Sequence, residues 1–178
     1  ALSADGNTLA VSAFGEASKS TGINSNGEDH SIPQAGAAYV FTRKGTSWAQ
    51  QAYIKASNTG NAPASADSFS DGDQFAWSLS LSDDGRTLAV SAITEDSASP
   101  GINGKQDDNS AQSAGVVYVF ALTGTTWAQQ AYIKAANPDP GDMFGYSVSL
   151  RADGNTLAAG SFDEGGSARG INGPYDNN

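Results

Sequence analysis

Short apolar and β-branched runs, each bounded by Gly, Asn, Asp or Ser, recur along the whole chain. Thr8–Ala13 alternates larger apolar with small side chains, which is typical of a β-strand packed between two layers. Ala37–Thr42 and Ser47–Lys55 have the same strand-like composition, and a short turn at Arg43–Thr46 joins them. No segment has the periodicity of an amphipathic helix, so the pattern predicts an all-β fold.

The strand predicted at Val116–Leu122 indicates how the sheets are arranged. Its residues are apolar on both alternating faces, so both faces need to be covered. A two-layer sandwich leaves one face of a strand polar, whereas stacked propeller blades cover both faces. Two further strands are predicted at Gln74–Leu81 and Met143–Leu150, each opening a unit of the chain.

The chain is a tandem repeat. Asp5-Gly6, which precedes the sequence Asn-Thr-Leu-Ala, has counterparts at Asp84-Gly85 and Asp153-Gly154, 79 and then 69 residues further on. An insertion after Asn58 accounts for the difference, and a long period in a β-rich chain indicates a propeller or solenoid. The predicted fold class is therefore all-β, with β-propeller blades that are four-stranded antiparallel sheets.

The repeat predicts four segments. They are a partial blade with strands two to four in residues 1–58, an inserted loop in 59–72, a complete blade in 73–137, and a partial blade with the first two strands and the following loop in 138–178. This partial array of about two and a third blades is too small to close a ring. We therefore expect the chain to be part of a longer protein or to associate with other chains.

The motifs of the repeat resemble the FG-GAP repeat of the integrin α-chain β-propeller, and more closely its bacterial secreted relatives. Phe144-Gly145 carries the Phe-Gly signature, Phe75-Ala76 is its counterpart, and Ser91-Ala92-Ile93 is a degenerate Gly-Ala-Pro element. The resemblance covers the whole chain and implies an extracellular or bacterial cell-surface module for cell adhesion. It also implies a calcium loop between the first two strands, but Ser80–Leu88 is one residue short and has serines at two ligand positions.

Composition excludes several classes of function. The chain has no cysteine, which excludes disulfides and thiolate metal sites. Its net charge of −10 argues against binding nucleic acid through phosphates. No apolar run approaches the roughly 20 residues that span a bilayer, so we expect no membrane insertion.

The charge is expected at one end of the blades. Loops after strands two and four of an antiparallel meander lie at the same end, here called the long-loop face, and these loops are the long ones. By this assignment the face carries 15 of the 19 acidic residues and five of the nine basic residues. All of the net charge is thereby predicted on the long-loop face.

The loop after strand two repeats a Glu, a Gly-Ile-Asn turn and an acidic cluster in each unit. Carboxylates and carbonyls converging there would suit calcium. The predicted ligands are Glu16, Glu28, Asp29, Glu95, Asp96, Asn103, Asp107, Asp108, Glu164 and Asp176. The alternative is a solvated loop, in which the acids provide solubility and Asn-Gly forms a turn.

Other candidate residues have simpler explanations. His30 is the only histidine, lies in a loop and has no counterpart in the next repeat, which is typical of a surface residue. The adjacent pair Asp107-Asp108 has no indication of an apolar pocket that would raise one pKa, so we expect solvation rather than acid–base catalysis. Recurrent aromatic residues on an outer strand could form a sugar-binding platform, but we expect these residues to pack between blades, where their burial stabilises the core. They are Trp48, Trp127, Tyr53, Tyr132, Trp77 and Tyr146.

Three hypotheses of function remain. The first is a non-enzymatic extracellular binding module whose long-loop face recognises a protein or carbohydrate, with calcium as the ion. The second is a structural repeat protein that forms a surface layer or filament by pairing open blade edges between chains. The third is a secreted hydrolase or lyase on a propeller scaffold. The first rests on the resemblance, because function is carried by sites rather than folds.

Overall fold

The computed structural model describes residues 1–60, 72–166 and 171. These residues contain β-strands and no helix, which confirms the all-β prediction. The strands are β1 (Thr8–Ala13), β2 (Ala37–Lys44), β3 (Ser47–Ile54), β4 (Phe75–Leu81), β5 (Thr87–Ala92), β6 (Val116–Thr123), β7 (Thr126–Ile133), β8 (Ser147–Leu150) and β9 (Leu157–Gly160). The described part of the chain has no helix with the length and apolarity that a membrane span requires.

The strands form three antiparallel sheets in sequence order. Sheet 1 is β1-β2-β3, sheet 2 is β4-β5-β6-β7, and sheet 3 is β8-β9. Equivalent strands keep equivalent registers, since Thr8 lies opposite Thr42 in sheet 1 and Thr87 lies opposite Ala121 in sheet 2. Gly45 and Gly124 adopt φ values of 62° and 61° in the hairpin turns that follow β2 and β6, a conformation that favours glycine.

The strand prediction for Met143–Leu150 is wrong in its first half. The strand begins at Ser147, and the chain before it bends at Met143 and Gly145, whose φ values are 50° and 89°. Phe144 instead forms a parallel bridge with Gly115 of sheet 2. Periodicity alone could not reveal this bend, since the apolar pattern continues through it.

Successive sheets contact each other through their first strands and are linked by side chains. β4 packs against both β1 and β8. The Ser78 and Ser80 hydroxyl oxygens accept hydrogen bonds from the backbone N–H groups of Val148 and Leu150, at 3.2 and 3.0 Å. These bonds satisfy backbone donors on the side of β8 that faces sheet 2.

The core lies around sheet 2. Residues of both faces of β6 are buried, as its sequence predicts, with Val116, Val117 and Tyr118 at 0% exposure. Phe75 packs edge-on against Tyr118 and Phe120, with ring centroids 5.3 and 6.1 Å apart. Each large apolar side chain buried in this way contributes roughly 1.5–3 kcal/mol to stability.

The expectation that the recurrent aromatic residues all pack between sheets is only partly correct. Trp127 is 4% exposed, and its Nε1 donates to Gln51 Oε1 of sheet 1 at 2.9 Å. Trp48, at the same place in sheet 1, is 44% exposed. The difference arises because no other described sheet lies against sheet 1 on the side where Trp48 is found.

Candidate functional site

The long-loop face contains the loops that follow β1, β3, β5, β7 and β9, and nine of the ten predicted calcium ligands lie in its described loops. Glu16, Glu28 and Asp29 follow β1, and Glu164 follows β9. The loop after β5 contains the largest group: Glu95, Asp96, Asn103, Asp107 and Asp108. Asp176 lies outside the described residues.

Glu95 is a buried carboxylate with several hydrogen-bond partners. Lys134 Nζ lies 2.7 Å from Glu95 Oε2, and the side chains of the pair are 0% and 1% exposed. The Tyr132 hydroxyl donates to Glu95 Oε1 at 2.7 Å, and Asn58 Nδ2 donates to the same oxygen at 3.0 Å. A buried ion pair is stable only when such additional bonds satisfy the remaining charge.

Glu16 makes the equivalent ion pair in the first repeat. Its Oε2 lies 2.6 Å from Lys55 Nζ, and the Lys55 side chain is 0% exposed. Burial lowers the pKa of both Lys55 and Lys134, and the partner glutamate opposes that shift in each case. Glu16 and Glu95, each the first acid of its loop, are therefore both paired with the ammonium group of a lysine.

Asn58 connects one repeat to the next. Its Oδ1 accepts a 2.6 Å hydrogen bond from the Tyr118 hydroxyl, and its Nδ2 donates to the Gln106 backbone oxygen as well as to Glu95. Asn137 occupies the same position one repeat later and donates to Glu164 at 3.3 and 3.4 Å. The amide therefore fixes the base of the long loop of the following repeat.

The Gly-Ile-Asn turns extend the outer strands of the sheets. Asn103 Oδ1 accepts a hydrogen bond from the Tyr132 backbone N–H at 3.0 Å, and Asn24 Oδ1 does the same for Tyr53 at 2.9 Å. Ile102 forms a bridge with Ile133. The Asn103 oxygen that was predicted to bind calcium thus already accepts a backbone hydrogen bond.

The remaining acids have separate local partners. Asp29 lies 3.3 Å from Lys19, and the hydroxyl and N–H of Ser31 lower the pKa of its carboxyl. Asp96 Oδ1 accepts the Ser113 N–H at 2.8 Å, while burial raises its pKa. Asp108 accepts hydrogen bonds from the hydroxyl and N–H of Ser110. Glu28 is exposed to solvent.

No three or more acidic or histidine side chains of residues 1–60, 72–166 and 171 are grouped so that they could hold a metal ion. The described contacts bring Glu95 together with Lys134, Tyr132 and Asn58, and they distribute the other acids along the loops. Calcium binding stays a prediction.

Asp73 is a buried acid that sequence reasoning missed. Its side chain is 5% exposed, and Oδ2 has no hydrogen-bond partner. Burial, reinforced by the negative charges of Glu95 and Asp96, raises its pKa well above the usual range. The signal available in the sequence was its recurrence as Asp142, two residues before the phenylalanine of each Phe-Ala or Phe-Gly pair.

A polar cavity of about 500 Å³ lies on the long-loop face between the first two repeats. Its walls come from the segment after β3 and from the loops after β1 and β5. The lining residues are Thr21, Ser57, Asn58, Thr59, Gly60, Gln106, Asp107 and Asn109. Hydroxyl and amide groups dominate this lining, with one carboxylate from Asp107, so it offers both donors and acceptors to a polar ligand.

Comparison with known families supports the relationship predicted from the repeat motifs. Residues 127–173 match the model of the FG-GAP repeat, a span that includes β8, β9 and all but the first residue of β7. No curated protein shows a significant match to the chain. The predicted resemblance to the FG-GAP repeat is thereby confirmed for residues 127–173, within an all-β fold.

Proposed function

We propose that this chain is a non-enzymatic extracellular binding module that recognises a protein or carbohydrate partner with its long-loop face. The polar cavity between the first two repeats is the observation that carries the proposal. Concave sites with convergent hydrogen-bonding groups are the usual form of a ligand site. The FG-GAP match makes an integrin-like extracellular module the natural context for such a face.

The proposed architecture is a partial propeller in which sheets 1, 2 and 3 are consecutive blades. Two observations support it: first strands of neighbouring sheets pack together, and the outer strands are joined by the Trp127–Gln51 hydrogen bond. In such an array the long loops of adjacent blades lie side by side. A ligand at their junction would contact two repeats at once.

The floor of the cavity is suited to holding a ligand in one orientation. Asn58 is fixed by Tyr118 and Glu95, and Ser57 donates a short hydrogen bond to Gln106. Side chains held by buried partners lose little conformational entropy when a ligand binds, which favours affinity. Because the chain carries a net charge of −10, the proposed partners are neutral or basic.

Calcium is proposed as a second component of this face. The acids not paired with lysine, among them Asp107 and Asp108, are the candidates for providing its oxygen ligands. A calcium ion at the loops would also explain a partner interaction that depends on divalent cations.

Binding is tested by probing immobilised glycans and extracellular matrix proteins with the protein, in calcium and in excess chelator. Gln106→Ala and Asn109→Ala remove hydrogen-bonding groups from the cavity, and Lys44→Ala, exposed at the opposite end, is the matched control. We expect the cavity variants to weaken retention and the control to leave it unchanged. Retention that survives both cavity variants would refute the site.

Self-association is a second candidate function, favoured by one comparison. β1 and β5 have the identical sequence Thr-Leu-Ala-Val-Ser-Ala, yet Val11 is 40% exposed and Val90 is 0% exposed. β5 pairs with β4 on one side and with β6 on the other, whereas the side of β1 opposite β2 has, among the described residues, one bridge, between Leu2 and Leu9. An open strand edge of this kind can pair with a strand from another chain.

Light scattering on the protein at increasing concentration tests this second function. A mass that rises with concentration, and that returns to one chain in Val11→Lys, supports assembly through the β1 edge. A single-chain mass at all concentrations rules it out and leaves ligand binding as the function.

A further inference from the structure

A row of four aromatic rings crosses the long-loop face at the junction of all three sheets. The ring centroids of Phe14 and Trp77 lie 5.5 Å apart, those of Trp77 and Tyr146 lie 5.7 Å apart, and those of Tyr146 and Phe162 lie 4.8 Å apart. Phe14, Tyr146 and Phe162 are 45%, 39% and 63% exposed. Exposed apolar groups that are contiguous rather than scattered mark interaction sites.

The row results from the repeat. Phe14 and Phe162 each follow the second strand of their repeat, and Trp77 and Tyr146 occupy equivalent positions near the first strand. The expectation that Trp77 and Tyr146 are core residues is therefore incorrect for Tyr146, while Trp77 is partly buried.

These rings line a groove of about 390 Å³, and none of its lining residues in the described part of the chain has a charged side chain. The other lining residues are Gln34, Gln74, Ile93, Thr94 and Met143. An uncharged wall is unusual on a face with so many acids, and it disfavours a ligand that depends on a salt bridge. A basic peptide would find no carboxylate in the groove, and an anionic polymer would be repelled by the net charge of the chain.

The groove also contains amide groups in fixed positions. Gln74 Nε2 donates to Gln34 Oε1 at 2.8 Å. A side-chain amide has two N–H donors and an acceptor oxygen with two lone pairs, so the Gln74 amide can bond to a ligand hydroxyl group in addition to Gln34. Aromatic rings beside amides match a ligand that presents C–H faces and hydroxyl edges.

The backbone around the groove is constrained. Gln34, Gln74 and Met143 adopt φ values of 58°, 52° and 50°, a left-handed conformation that is uncommon for residues other than glycine. Two of them are held by hydrogen bonds between sheets, from Gln74 N to Gln34 O at 2.9 Å and from Met143 N to Ser113 O at 3.0 Å. Such strained positions cluster at ligand sites, where they fix the geometry in advance.

We infer that this groove binds a neutral polysaccharide chain, whose sugar rings stack on the aromatic row and whose hydroxyl groups bond to the Gln74 amide. The inference rests on the proposed function for the use of the long-loop face, and it adds a second subsite and the chemical class of its ligand. The row runs across three repeats, so it suits an extended chain of several sugars rather than a single sugar.

The test is titration calorimetry with cellohexaose, xylohexaose and mannohexaose, with hexagalacturonic acid as the charged counterpart. Tyr146→Ala and Phe162→Ala each remove one exposed ring of the row. Trp48→Ala is the matched control, because Trp48 is also an exposed aromatic residue but lies on β3, away from the groove. Thermal melts of all variants establish that each one is folded.

We expect at least one neutral hexasaccharide to bind and hexagalacturonic acid not to bind. Each ring deletion should weaken binding by roughly three- to tenfold, the range that a single aromatic stacking contact contributes. Trp48→Ala should bind as the wild type does. Binding that is unchanged in both ring variants, or a preference for the charged hexasaccharide or for an apolar peptide, overturns the inference.

The two proposals fail in different ways. If none of the neutral hexasaccharides binds, but a partner retained on the immobilised panel is lost in Gln106→Ala and kept in Tyr146→Ala, the aromatic site is wrong and the proposed function stands. If neither the panel nor the hexasaccharides retain the protein, both proposals are wrong.

Discussion

Replacement of Glu95 by glutamine tests whether the buried ion pair holds the second repeat together. Glu95→Gln keeps the side-chain volume but removes the charge opposite Lys134, whose side chain is 0% exposed. The hydrogen bonds from Lys134, Tyr132 and Asn58 all end on this carboxylate, so the substitution alters every contact at once. Leaving one member of a buried pair without its partner typically costs about 3–5 kcal/mol.

The repeat provides a matched control for this substitution. Glu164 is the equivalent of Glu95 one repeat later, but it is exposed, and its hydrogen bonds to described residues come from Asn137 Nδ2 and the Gly166 N–H, at 3.2 to 3.4 Å. Glu164→Gln should therefore change the free energy of unfolding by less than about 0.5 kcal/mol, as surface substitutions usually do.

The assay is calorimetric and denaturant unfolding of both variants at neutral pH. For a chain of this size, about 1 kcal/mol shifts the melting temperature by roughly 2–4 °C, so Glu95→Gln should melt about 10 °C lower than the wild type. The deficit should shrink at alkaline pH, because burial lowers the pKa of Lys134 and the neutral amine is less costly to bury. A loss below about 1 kcal/mol, or an equal loss in Glu164→Gln, would refute the reasoning.

Four further predictions address the other features. Burial raises the pKa of Asp73, so its contribution to stability is full below the unfolded pKa and is lost as the pH rises through the folded pKa. Asp73→Asn should therefore be more stable than the wild type at neutral pH. Denaturant titrations should show that this difference disappears near pH 4. Asp5→Asn should instead be less stable than the wild type at neutral pH, because the Ser3 hydroxyl and the Asn7 amide groups lower the pKa of Asp5 to about 2. Gly115→Ala should destabilise the protein by several times the roughly 1 kcal/mol expected for Gly22→Ala. Both glycines have φ near 80°, but a methyl group at Gly115 would overlap the Phe144 backbone, whereas one at Gly22 would meet no atom within 4 Å. Equal melting temperatures for the two variants would contradict this. If the acidic loops bind calcium, the melting temperature should rise in calcium and not in magnesium, and unchanged melts in chelator would leave the loops as solvated connections.

The recurrent acids were visible in the sequence, but their partners were not fully inferred. Glu16 and Glu95 suggested a cation site, and the structure shows lysines opposite them. A signal for the lysines was present, since Lys55 and Lys134 each follow the apolar pair Tyr-Ile at the end of an outer strand. A lysine in an apolar setting requires a buried partner, yet only the fold brings residues 39 positions apart within hydrogen-bond distance.

The contacts between repeats were the feature of the molecule that was hardest to predict from the sequence. Gln51 Oε1 accepts the hydrogen bond of Trp127 Nε1, and nothing in the sequence pairs these two residues, which are 76 positions apart. The aromatic row likewise depends on residues from three repeats. Their spacing along the chain does not reveal that the centroids of neighbouring rings in the row lie within about 6 Å of each other.

The sequence by itself determined the repeat, the all-β class, and most strand positions, because strands and their turns follow from local side-chain alternation and turn-forming residues. The tertiary structure alone decided which of these strands are buried. Thr-Leu-Ala-Val-Ser-Ala forms a strand in both β1 and β5, yet Val90 is fully buried and Val11 is exposed. Conformation is set largely within a segment, whereas burial, ion pairing and cavities depend on the surfaces that neighbouring segments bring against it.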